Sequence, residues 1–121
     1  MNAKEFVERF IMHDCLIDAM SVDDGNATVT MTIDFAFWMQ KGYRDGDPET
    51  GLLAVTFRNV TKLECPDELP FGDISILRVT EEEGSLRFAI MNDMTDDYYD
   101  LLIKAESIEV NTTGAIGDGS F

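Results

Sequence analysis

From Ala27 to Trp38 the chain alternates with a period of two. Val29, Met31, Ile33, Phe35 and Phe37 occupy one phase, and Thr28, Thr30, Thr32, Asp34 and Ala36 the other. Successive side chains of a strand point to opposite faces, so this segment predicts a half-buried strand with its Phe/Ile/Val phase on the core. Leu16 to Val22 predicts its hairpin partner, joined through Asp23-Asp24-Gly25-Asn26, where the Asp-Gly pair offers the positive φ of a tight turn. Before Cys15 the period is helical. Asn2 can cap, Glu5 completes a capping box three residues on, and Phe6, Val7, Phe10 and Ile11 share one face, predicting a helix over Asn2–Ile11. So short a helix holds only by docking that face on a sheet.

Strand patterning resumes at Leu52–Val60, with Leu53, Val55 and Phe57 on one phase, and extends toward Cys65 after a kink. Gln40–Gly51 and Pro66–Gly72 read as loops. Asp73–Thr80 and Ser85–Met91 predict a hairpin across Glu81-Glu82-Glu83-Gly84, and Tyr98–Val110 a last strand bent or bulged at Glu106-Ser107. Asn111–Phe121, with three glycines, reads as a flexible tail, leaving residues 1–110 as a single domain. The expected fold is α+β and mainly β: an N-terminal helix packed on a curved antiparallel meander of about six strands. Closure of that curl into a partial barrel is compatible with the pattern.

Charge changes the picture most. Nine Lys and Arg against 24 Asp and Glu give a formal net charge of -15. The nine basic residues are dispersed, so nothing meets phosphates, and the expectation is no nucleic acid and no anionic membrane as partner. The longest apolar runs are too short to span a bilayer. The opening Met1-Asn2-Ala3-Lys4-Glu5-Phe6 lacks an apolar leader core, which points to a mature, cytoplasmic protein. Cys15 and Cys65 then read as reduced, small hydrophobes.

Candidate chemistry is sparse. In an extended chain His13 and Cys15 project to one face, where an imidazole can activate a thiolate, but no orienting group or oxyanion hole is signalled. One histidine and no Cys-x-x-Cys pair leave zinc without a ligand set. Asp45, Asp47 and Glu49 alternate like the opening of an EF-hand loop, yet Thr50 stands at the glycine position and Thr56 at that of the bidentate Glu. No metal and no cofactor are expected. What remains are two acidic loops edged with aromatics and methionines: Trp38, Met39 and Tyr43 beside Asp45, Asp47 and Glu49, and Asp93, Asp96 and Asp97 beside Met94, Tyr98 and Tyr99. Tyr and Trp among carboxylates suit a protein interface, and the acidic field suits a basic partner protein.

The run Phe10-Ile11-Met12-His13-Asp14-Cys15-Leu16-Ile17, the Asp-Gly hairpin reaching Trp38, and the ending Leu102–Val110 resemble small uncharacterised bacterial β-meander proteins with a His-Asp-[Ser/Cys]-x-Ile opening. Some of these resemble toxin-immunity proteins. The resemblance implies a non-enzymatic binder and assigns no binding residue; together with the acidic charge the expectation is an immunity-type module docking on a basic partner such as a toxin. The alternative is a small-molecule or metal-binding protein or enzyme, with a pocket between helix and sheet near His13 and Cys15.

Overall fold

A computed structural model describes every residue except Asp24, Asn26, Asp67 and 114–121. It is mainly β, with one helix, α1 (Ala3–Arg9), and six antiparallel strands: β1 (Leu16–Asp23), β2 (Thr28–Ala36), β3 (Thr50–Glu64), β4 (Ile74–Glu82), β5 (Ser85–Asn92) and β6 (Asp97–Thr113). No described helix is long and apolar enough to cross a membrane. The helix starts as its sequence dictates. The Asn2 side chain accepts from the Glu5 amide at 2.9 Å, and the Glu5 carboxylate accepts from the Asn2 amide at 3.2 Å. It ends at Arg9, two residues earlier than the apolar face suggests, because Phe10 is already extended.

The strand order is β1-β2-β3-β6-β5-β4, and β4 returns to β1. Consecutive strands pair everywhere except between β3 and β4, so the arrangement departs from a strict meander. β4 lies beside β1, as in a Greek key, and the 15-residue β3 pairs with the 17-residue β6. The ring closes through a short seam, Leu16↔Ser75 and Ile17↔Ile74. Beyond it the Asp14 amide donates to the Ile76 carbonyl (2.9 Å), and the Ile76 amide to that of Cys15 (2.8 Å).

Three extra residues bend the sheet enough to close it. The register slips between Ile17 and Ala19, between Ile76 and Arg78, and between Val60 and Lys62. The β3–β6 irregularity therefore sits on β3, not at Glu106-Ser107 of β6. Asn59, at φ 54°, supplies the local left-handed turn, and its side chain donates to Glu106 at 3.1 Å. The turn chemistry differs in one more place. Gly25 has no positive φ, and Ala27 carries it instead (49°). The β4–β5 hairpin is tighter than expected: Glu83 (φ 51°) and Gly84 (φ 83°) alone form the loop, the signature of a type I′ turn. β6 continues to Thr113, so its last residues fall in the stretch read as tail; 114–121 lie outside the described residues.

Inward positions follow the alternation. Val29, Met31, Ile33 and Phe35 of β2 face Leu53, Val55 and Phe57 of β3, and Leu86, Phe88 and Ile90 of β5 complete the wall, all buried. α1 bridges β4 and β6, and its buried Phe6 packs on Phe10 (5.3 Å between ring centroids) and Phe88 (6.4 Å). Phe10 continues the chain of rings to Phe35 (5.9 Å) and Phe37 (5.3 Å from Phe35). Each of these buried phenylalanines contributes about 1.5–3 kcal/mol by leaving water.

Candidate functional site

Strand direction decides which candidate residues meet. Taking the end where β1 begins as the lower end, the upper end carries the β1–β2 hairpin, the 65–73 connection and the β5–β6 turn. The 40–49 loop lies at the lower end, where β3 begins. Leu52 of β3 pairs with Thr113 and Glu64 with Leu102, whereas the other acidic turn precedes Asp97 at the start of β6. The two acidic loops therefore stand at opposite ends of the β3–β6 ladder and form two separate faces.

The lower face is anchored by Gln40. Its amide nitrogen donates to the carbonyls of Ile11 (2.7 Å) and Ala36 (2.9 Å), and its oxygen accepts from the Ile11 amide (2.9 Å). A single 3₁₀ turn, Phe37–Met39, buries Phe37 and leaves Trp38 54% exposed. Tyr43 is half-buried against the core, and its hydroxyl donates to the Asp47 carbonyl at 3.1 Å. Asp47 accepts from the Arg44 amide (3.2 Å), so this carboxylate folds its own loop. Asp45 and Glu49 are exposed. Together with Asp47 they push the Tyr43 phenol above its ordinary value, after partial desolvation as the larger cause.

The upper turn is more heavily braced. The Asn92 carbonyl accepts from the Asp96 amide (2.8 Å), the Asn92 side chain accepts from the Met94 amide (2.9 Å), and the Thr95 hydroxyl donates to Asp97 (2.8 Å). Asp93 accepts the Ser75 hydroxyl at 2.8 and 2.7 Å, and its amide donates to the Asp73 carbonyl. Asp93 is thus a strut between β4 and the turn. Around this frame Met94 is 75% and Tyr98 70% exposed, the highest among the large described hydrophobic side chains. Tyr99 leans on the core, and with Tyr98, Asp100, Leu77 and Ala89 it lines a shallow groove of about 170 Å³ on the outer wall.

His13 and Cys15 do not share a face. Asp14 adopts φ 65°, which turns the chain over between them. His13 points outward, its ring 61% exposed, with Nδ1 donating to the Leu77 carbonyl at 2.9 Å and Nε2 lying 3.4 Å from Asp14. Cys15 points inward and is 1% exposed, with its sulfur accepting the Ala36 amide at 3.4 Å. Burial raises the Cys15 thiol above its ordinary value, Asp34 and Asp14 add to that, and the Ala36 contact opposes it. A thiol held neutral and dry is a poor nucleophile. Cys65, not disulfide-bonded either, is half-buried at the start of the 65–73 connection. Among the described residues no group of three or more His, Cys, Asp or Glu side chains is arranged to hold a metal ion.

Met94 borders the upper acidic loop with Tyr98 and Tyr99 in the sequence, and the structure adds how far it is exposed. It stands at the tip of the acidic turn, and its lack of apolar neighbours in sequence is the signal that marks it as exposed. In comparisons with known proteins, no family model, no curated protein and no solved structure matches the chain.

Proposed function

We propose that this chain is a non-enzymatic protein-binding module that docks on a basic partner through its upper end. The observation that carries this reading is the braced β5–β6 turn, which presents Met94 and Tyr98 to solvent among Asp96, Asp97 and Asp73. An exposed aromatic and a thioether on a pre-ordered backbone supply contact area at little entropic cost, and the carboxylates steer a cationic surface. The lower loop offers less, because Tyr43 and Asp47 are occupied in holding that loop together. An immunity-type role, with a basic toxin such as a nuclease as partner, is the specific form that the resemblance supports. A Cys15-centred enzyme draws no support from a thiol that is buried and turned away from His13.

Capture of partners by the immobilised chain at low and high salt tests the reading. Tyr98→Ala should weaken retention, costing about 2 kcal/mol if the ring is a hot spot. Asp96→Asn with Asp97→Asn should slow association and flatten its salt dependence, whereas Trp38→Ala should leave both unchanged. Retention that ignores salt and the upper turn, and is lost with Trp38→Ala, would move the docking face to the lower end.

A further inference from the structure

The register of the ring leaves a notch one strand wide at its upper end. Ile17 of β1, Ile74 of β4 and Asn92 of β5 lie side by side. Above that row β1 continues to Asp23 and β5 runs into the Asp93–Asp96 turn, but β4 has not yet begun. The chain reaches Ile74 through a turn in which the Asp73 amide donates to the Pro70 carbonyl (3.0 Å) and Gly72 sits at φ 103°. That turn makes one bond to β1, from the Gly72 amide to the Ile17 carbonyl (2.9 Å), and no other backbone bond to it among the described residues. Two strand spacings, about 10 Å, separate β1 from the line of β5. On its inner side β1 pairs with β2 from Ala19↔Thr32 to Asp23↔Thr28. On its outer side Ala19–Val22 have no strand neighbour among the described residues.

An unpaired edge is a template for another strand, and its surroundings select which. Asp18 and Asp23 flank the edge, Asp73 lies at the floor of the notch, and Asp93 and Asp96 stand on the far side. None of the nine basic residues falls in β1, in 65–73 or in 92–100. A second copy of β1 laid antiparallel here sets Asp18 against Asp23 twice, like charges directly opposed on a chain of net charge -15. We infer that this edge takes an extended basic segment of the partner as an added strand, main chain to main chain over Ala19–Val22, with cations beside Asp18 and Asp23. The inference rests on the docking reading above and adds its mode of recognition.

Two synthetic peptides of equal charge test it against the full chain: one alternating Lys and Val, the other alternating Lys and Pro, which lacks half the amide donors. The Lys/Val peptide should bind about tenfold more tightly, the worth of one or two added main-chain bonds. It should also slow hydrogen exchange at the backbone amides of Ala19–Val22. Ser21→Lys, at an exposed position, should weaken that binding, and Ser21→Asp should not. Equal binding of the two peptides, or protection elsewhere, would overturn strand addition while leaving the acidic docking face standing. Binding of neither at low salt would remove the docking face and this inference with it. A dimer protected at Ala19–Val22 without peptide would assign the edge to a second copy instead.

Discussion

At the scale of single residues, the alternation of β2 and β5 translates directly into burial. Phe35 and Phe88 are fully buried on the apolar phase, and Thr32, on the opposite phase, is half-buried. Phe35→Ala and Phe88→Ala should each cost about 3–5 kcal/mol in denaturant unfolding, because a ring-sized cavity opens in a packed wall. Thr32→Ala should cost about 1 kcal/mol. Comparable losses at all three positions would reverse the faces. Cys15 makes a different prediction. Its folded-state value is raised, so the unfolded chain releases the proton first, and stability falls as pH climbs from the ordinary value of 9.0 through the folded one. Thermal unfolding across that window should show a decline that is shallower in Cys15→Ala. Alkylation of Cys15 at neutral pH should be slow and limited by opening of the fold. The pairing of His13 with Cys15 failed for a reason that period-two reading cannot see. Asp14 takes a left-handed conformation, and one such residue inverts the face of everything after it.

Among the elements, those whose partners are adjacent in sequence were legible and those joined at long range were not. The Asn2/Glu5 box, the β1–β2 hairpin and the β4–β5 hairpin each depend on residues a few positions apart. Asn2→Ala should cost about 1 kcal/mol, measured by chemical unfolding, since it removes the cap of a helix with few bonds of its own. Neither β3 against β6 nor β4 against β1 has a local signature. β6 pairs along the edge of β3 opposite β2 over nearly its whole length, from Leu52 to Glu64, and β4 meets β1 only where the ring closes. The two acidic loops look equivalent in sequence. Only strand direction separates them, and only the hydrogen bonds show that the Asp93 carboxylate takes the Ser75 hydroxyl and the Asp47 carboxylate the Arg44 amide, although both are as much at the surface as Asp96 and Asp45.

Over the whole molecule, countercharge and closure are unevenly distributed in ways that bear on one another. The cross-strand ion pairs of β3, β5 and β6, Arg58 with Glu109 (3.0 Å) and Arg87 with Asp100 (3.4 Å), lie away from the upper turn. Half-exposed pairs of this kind add little stability. Lys62 lies 3.6 Å from Glu64 at the upper end of β3, but among the described residues no ion pair involves Asp93, Asp96 or Asp97 of the upper turn, which borders the short seam. The β3–β6 ladder runs from Leu52↔Thr113 to Glu64↔Leu102, whereas the β1–β4 seam rests on two residue pairs and a few flanking bonds. Local opening follows such differences. Amides of the seam, on Asp14, Gly72 and Ile76, should exchange first in native-state hydrogen exchange, and those of Val55 and Phe57 last. Gly72→Ala forces a side chain into φ 103°, a strain of about 1–3 kcal/mol at one turn. Exchange should then accelerate along the seam and change little in the β3–β6 ladder. Acceleration shared equally by both would mean that the ring opens only by unfolding as a whole. In that event β1 and the upper turn form one rigid wall, and a strand entering the notch must fit it as it stands.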